Sequence, residues 1–168
     1  MSDLTRATGL TKGSIYGNFK DKDDVAISVF KYNVDNLISY ITREIEKKNS
    51  YIDKLLAIPD AYRKLYKTMI AYGGCPILNT AAEADDTHQK LCKMAAEAIE
   101  TMRKTIIYLA ESGKKAGELD PGTDTGKMAE LIICLIEGGT FLSKTTGKES
   151  YMINALVQIE GLIQSAVL

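Results

Sequence analysis

His88 and Cys92 stand four residues apart in a stretch that reads as helix, so imidazole and thiol share one face at a spacing a metal ion can bridge. Zinc takes three or four such ligands. Cys75 and Cys134 are the remaining thiols, the chain has one histidine, and no Cys-x-x-Cys pair occurs. The set therefore reads as an exposed histidine and buried cysteines, with neither a metal nor an organic cofactor expected. Cys75 offers a second chemistry, redox sensing, because its place near a helix start would lower its thiol pKa. Ser14 and Cys75 have no local base to activate them, and Gly113 to Gly122 lacks the order of a phosphate-cradling loop. With no catalytic constellation assembled, the chain is not expected to be an enzyme.

Hydrogen bonding to base edges is the chemistry offered by Thr11-Lys12-Gly13-Ser14. Leu4 and Ala7 place apolar groups at helical spacing, and Gly9 supplies the left-handed residue that ends a helix sharply. Thr11 caps the helix that follows, so that Lys12, Gly13 and Ser14 form its exposed tip. In a helix-turn-helix unit such a tip enters the major groove while the preceding helix crosses the backbone. Ile15 and Phe19, four residues apart, face inward, which frees Tyr16, Asn18, Lys20 and Lys22 for phosphates.

The string Leu-Thr-Lys-Gly-Ser-Ile-Tyr-x-x-Phe-x-x-Lys-Asp, from Leu10 to Asp23, resembles the signature of TetR-family transcriptional repressors. Carried over position by position, the resemblance implies that Thr11, Lys12, Gly13 and Ser14 approach bases and that Tyr16, Asn18 and Lys22 bind phosphate. Asn18 replaces a histidine often found in the family, and its amide can donate the same bond. A second stretch, Gly74-Cys75-Pro76-Ile77-Leu78-Asn79 followed by Ala81-Ala82-Glu83, is similar to a Gly-Cys-Pro/Leu-Leu/Ile-x-Asn, Ala-x-Glu pattern of several TetR-like subgroups. The implied fold is all-α and TetR-like, a small helix-turn-helix head with a helical ligand-binding and dimerisation body.

The resemblance also implies one more helix ahead of these two, and the chain starts inside the second helix of that three-helix head. The head is accordingly expected to be incomplete, with Leu4, Ala7, Ile15 and Phe19 lacking a partner on one side. Its four basic residues (Arg6, Lys12, Lys20, Lys22) are matched by four acidic ones (Asp3, Asp21, Asp23, Asp24), so attraction for DNA is modest. This chain is expected to bind DNA poorly even where the full-length protein is an operator-binding repressor. Two functions stay open: a ligand-responsive repressor, or a helical dimeric ligand-binding protein without DNA binding.

The elements that must position these residues are long helices. At 168 residues with 45% hydrophobic content and three prolines, the chain can bury a sizeable core and sustain uninterrupted helix. Its net charge of −1 carries no message about nucleic acid. The apolar runs 131–136 and 153–157 are too short to span a membrane, and three cysteines without an export signal fit reduced thiols, so a cytoplasmic setting is expected. Residues 1–24 are assigned to the partial DNA-binding head, 25–48 to a connecting helix, and 49–168 to the body. The connecting helix is expected to start at the acidic turn Asp21 to Asp24 and run to Lys47, with Val29, Phe30, Leu37, Ile41 and Ile45 as its apolar stripe. Further helices are expected over 51–71, where Pro59 would kink or interrupt, and over 86–112. Gly113 to Gly122 reads as loop, and two last helices follow over 124–144 and 149–167.

These last two helices are the most apolar part of the chain. The resemblance implies that they pack against the same pair of a second copy, and Met128, Leu131, Ile132, Leu135, Gly139, Met152, Leu156, Ile159 and Ile163 are the expected dimer contacts. A pocket for an unknown small-molecule inducer is implied as well. Its candidates are Tyr62, Tyr66, Met69, Ile70, Met94, Met102, Ile106 and Phe141, an aromatic and Met-rich set that could equally be ordinary core.

Overall fold

The computed structural model of the protein describes residues 5, 6 and 8–168, with the backbone alone at Tyr16. The expectations for Leu4, Ala7 and the Tyr16 side chain fall outside the described residues. Helical residues Thr5, Arg6 and Thr8 lead into Gly9, whose φ of 69° makes the turn a side chain would disfavour. Then come α1 (Lys12–Asn18), α2 (Lys22–Glu46), α3 (Tyr51–Ala71), α4 (Pro76–Ala84), α5 (Gln89–Lys115), α6 (Thr125–Thr146) and α7 (Ser150–Gln164).

Local sequence sets most of the starts. The side chains of Thr11, Asp21, Ser50, His88 and Asp124 each accept a hydrogen bond from the backbone N–H three residues on, capping α1, α2, α3, α5 and α6. Pro76 opens α4, where its missing N–H costs nothing. Pro59, by contrast, lies inside α3 without interrupting it. Such a proline forfeits about 3 kcal/mol, and the burial of Leu55, Ile58, Ala61 and Tyr62 on the same helix offsets that loss.

Two apolar clusters hold the helices together. The larger joins Leu37, Ile41 and Ile45 of α2 to Leu55, Ile58 and Tyr62 of α3, Ile106 and Leu109 of α5, and the inner faces of α6 and α7. The smaller joins Phe30 and Val34 of α2 to Cys75, Ile77 and Ala84, and to Leu91, Ala95 and Ala98 of α5. Helix α2 therefore spans both, its first half on one cluster and its second half on the other. Its inner stripe is Val25, Phe30, Val34, Leu37, Ile41 and Ile45, while Val29, expected in that stripe, is exposed.

The loop expected from Gly113 begins later, because α5 continues to Lys115. A side chain at Gly113 would stand 2.2 Å from Leu119 Cδ1, so the bare backbone is what admits Leu119 against the helix. The loop is fastened elsewhere too: Glu118 Oε2 accepts from Ile52 N at 3.0 Å, and Asp120 N donates to Ala166 O at 2.8 Å. Among the described residues no helix is long and apolar enough to cross a membrane.

Candidate DNA-reading tip and effector cavity

The tip of α1 is built as its sequence suggests. Thr11 Oγ1 accepts from Ser14 N at 3.1 Å, and Ile15 is buried, which turns Thr11, Lys12, Gly13 and Ser14 to solvent. Asn18 is exposed, and its Nδ2 donates to Ser14 O at 2.9 Å, so a phosphate would have to compete with that carbonyl. Asp21 Oδ1 accepts from Asp24 N at 2.8 Å and Asp24 Oδ2 from Lys20 N at 3.1 Å, fixing the tight step from α1 to α2 beside exposed Lys22. Phe19 is half-buried.

His88 is a structural residue. Its Nδ1 accepts from Leu91 N at 3.2 Å, capping α5, while Nε2 is buried without a hydrogen-bond partner, 3.8 Å from Asp23 Oδ2 in the first turn of α2. It is half-buried rather than exposed. Cys75 is buried, Cys92 half-buried and Cys134 exposed, all as free thiols. Among the described residues no three His, Cys, Asp or Glu side chains gather as a metal ion would need. The expected lowering of the Cys75 pKa is reversed: burial, then the neighbouring Glu137 carboxyl, push it well up, so the thiolate that redox sensing needs is disfavoured.

Two cavities of different kinds lie along α2. An open groove of about 1200 Å³ runs along α2, lined among others by Asn33, Asn36, Tyr40, Met69, Tyr72 and Asn79. A small crevice of about 40 Å³ lies between α2, α3 and α5, walled by Ile38, Ile41, Thr42, Ile45, Ile58, Tyr62, Thr101, Met102, Thr105 and Ile106. Of the expected pocket residues, Tyr62, Met102 and Ile106 meet in the crevice and Met69 lines the groove, whereas Tyr66, Ile70 and Met94 line neither. Phe141 must be corrected. It is 52% exposed on the outer side of α6 and cannot line an interior pocket.

Between α6 and the start of α4 sits a buried polar pair that the residue types did not suggest. Cys75 Sγ donates to Glu137 Oε1 at 3.2 Å, and Tyr62 on α3 is wholly buried. Tyr62 OH and Glu137 Oε2 are sealed from solvent without a hydrogen-bond partner. Burial pushes both groups up from their ordinary pKa. The signal in the sequence is a single carboxylate late in the apolar run 131–142, one turn after buried Ile133 and one residue after buried Ile136. A carboxyl with a raised native pKa binds its proton more tightly folded than unfolded, so its contribution is favourable below the ordinary 4.5 and lost as pH rises through the native value. Thermal scans from pH 4 upward should therefore show a loss of stability in the wild type that Glu137→Gln lacks.

The last two helices require the second correction. Met128, Ile132, Gly139, Met152, Leu156, Ile159 and Ile163 are buried within this chain, where α6 packs on α7, and are not free to contact a partner. Gly139 has its use here too, because a Cβ on it would lie 2.9 Å from Ala155 Cβ. Leu131 is exposed and Leu135 half-buried, and they belong to a second apolar stripe facing outward. It comprises Leu131, Cys134, Leu135, Gly138, Phe141 and Leu142 on α6, with Ile153 and Val157 on α7.

Residues 52–159, α3 to α7 almost entire, match the family described as Tetracyclin repressor-like, C-terminal domain. The chain belongs to the TetR family. The fold agrees over the whole chain with the crystal structure of a TetR-family transcriptional regulator from Cytophaga hutchinsonii: TM-score 0.90, 39% identity, covering 100% of this chain and 84% of that one. Among curated relatives, the Fatty acid metabolism regulator protein of Bacillus subtilis (strain 168) is 23% identical over 137 residues, 82% of this chain and 69% of that protein. The HTH-type transcriptional repressor ComR of Escherichia coli (strain K12) is 19% identical over 162 residues, 96% of this chain and 75% of that protein. As a TetR-family transcriptional regulator, the protein belongs to a non-enzymatic family.

Proposed function

We propose that this TetR-family regulator is a cytoplasmic repressor that binds operator DNA as a two-fold homodimer and leaves it when a small molecule occupies the body. The observation that carries the reading is the exposed, capped tip Thr11 to Ser14, set directly ahead of a helix, α2, that is packed along both clusters of the body. Residues 1–24 read DNA, 25–48 transmit, and 49–168 sense and dimerise. The outward stripe of α6 and α7 supplies the partner surface, and Gly138, which has open space where a Cβ would go, lets a second backbone approach. A ligand favouring one tilt of α2 would set the spacing of the two heads, and with it the fit to one operator.

Selection of duplexes from a random-sequence pool by the purified protein tests this. Enrichment of an inverted repeat is expected, at modest affinity because the four basic side chains of the head are matched by four acidic ones, and a pool that enriches no sequence would overturn the reading. On the selected site, Lys12→Ala should cost about 1–3 kcal/mol if it meets a base. Lys22→Ala should instead weaken all sequences alike and reduce the slope of log affinity against log salt by about 0.9 per head.

A further inference from the structure

The two ring nitrogens of His88 are not satisfied together. Nδ1 accepts from Leu91 N, which requires a bare lone pair there and leaves the proton of the neutral imidazole on Nε2. That nitrogen is buried with no hydrogen-bond partner, and Asp23 Oδ2 stands 3.8 Å away, too far for a hydrogen bond. A second proton reverses the arrangement. It occupies Nδ1, sets two donors against each other at Leu91 N, and puts positive charge at the start of α5, where the helix dipole disfavours it. Toward Asp23 the same charge turns a long contact into one half of an ion pair. The Asp23 side chain is 74% exposed, so its carboxylate is free to rotate across the remaining gap.

The two partners belong to different parts of the molecule. Leu91 lies in the first turn of α5, in the body, whereas Asp23 lies in the first turn of α2, one tight step after the reading tip. Among the described residues Asp23 is the one carboxylate within 4 Å of the imidazole. The other titratable groups around it are Lys22 of α2 and Glu83 of α4, which line the same groove, Asp85 and Asp86 in the turn before it, and Cys92 one turn along α5. We propose that His88 is a proton-operated latch between body and head: neutral, it caps α5; protonated, it releases Leu91 N and binds Asp23, holding the first turn of α2 to the start of α5. Histidine is the side chain whose ordinary titration falls between pH 5 and 8, so mild acid operates the latch. It needs neither ligand nor DNA, and it stands or falls apart from the repressor reading.

His88 is the only histidine of the chain, so its ring signals are unambiguous in NMR spectra. Ring nitrogen shifts and amide exchange, the latter as protection relative to the unfolded rate, are to be recorded at pH 7.5 and 5.5. At pH 7.5 Nδ1 should carry no proton. At pH 5.5 both nitrogens should be protonated, protection of Leu91 N should fall several-fold, and protection of Asp24 N and Val25 N should rise. A histidine that merely capped α5 would lower the first without raising the others. His88→Asn keeps a capping oxygen and discards the titration, so neither helix start should respond. Asp23→Asn should still lose protection at Leu91 N, at lower pH, while the rise in α2 vanishes. An imidazole still neutral at pH 5.5, no rise in α2 or unchanged Leu91 protection once the ring is charged, or an α2 response surviving in either variant would each overturn the proposal.

Discussion

Val157→Asp is expected to leave the chain folded, make it monomeric and remove most of its operator affinity. Val157 is 50% exposed on α7, within the outward stripe that Ile153 shares and that α6 completes with Leu131, Phe141 and Leu142. Its side chain contributes little to the chain's own core, so far-UV circular dichroism should match wild type. A two-fold interface contains each position twice, so one substitution places two carboxylates in apolar surroundings. Breaking pairing around a buried charge costs about 3–5 kcal/mol, a factor of more than a hundred in association even if one of the two is felt. On the proposed dimeric reading, operator affinity is expected to fall with it, because the second head would no longer bind at a high effective concentration. Sedimentation at micromolar protein gives the readout, and a dimer surviving Val157→Asp would place the interface elsewhere.

The adjacent glycines of α6 should respond to substitution in opposite directions. A Cβ at Gly139 meets Ala155 Cβ at 2.9 Å, Met152 Sδ at 3.2 Å and Met152 Cα at 3.4 Å, and the backbone atom cannot swing aside as a flexible side-chain end would. Gly139→Val must therefore push α7 off α6, at a cost of about 1–3 kcal/mol or more for overpacking. In a chain of this size each kcal/mol is worth about 2–4 °C in Tm. Gly138 has nothing within 4 Å of the point where a Cβ would stand, so Gly138→Ala meets no atom of its own chain. It should gain about 0.5–1 kcal/mol from helix preference alone. Measured in the monomeric Val157→Asp background, which removes any effect through the partner, the two variants should straddle the parent; a stable Gly139→Val would refute the close α6–α7 contact.

The head and the helix starts are legible in the sequence because both rest on local rules. Thr11, Asp21 and Asp124 cap the helices that begin beside them, and α1 ends at the extended Phe19 just before the acidic turn. What stays hidden depends on tertiary facing. Helices α6 and α7 are apolar around most of their circumference, so hydrophobic spacing offers two stripes and cannot say which one turns inward. The stripe expected to meet a partner is in large part the one that seals the monomer, and Phe141, expected in the interior, lies on the other. The crevice is half visible, in Tyr62, Met102 and Ile106, but its α2 wall carries the same isoleucine spacing as ordinary packing. Glu137 gives little away because a charged residue in an apolar run is usually at the surface, and its facing follows from α6 packing on the body.

The fastening of the loop between α5 and α6 bears on the order in which the molecule assembles. Glu118 reaches Ile52, 66 positions earlier, while Asp120 bonds Ala166 near the other end of the chain and Leu119 pairs in antiparallel fashion with Val167. None of these contacts can form until both distant segments have arrived, so the loop is expected to close late, with the entropy of closing two long chain segments met at that step. Weakening it, by Glu118→Ala for instance, should then hasten unfolding while leaving the refolding rate nearly unchanged.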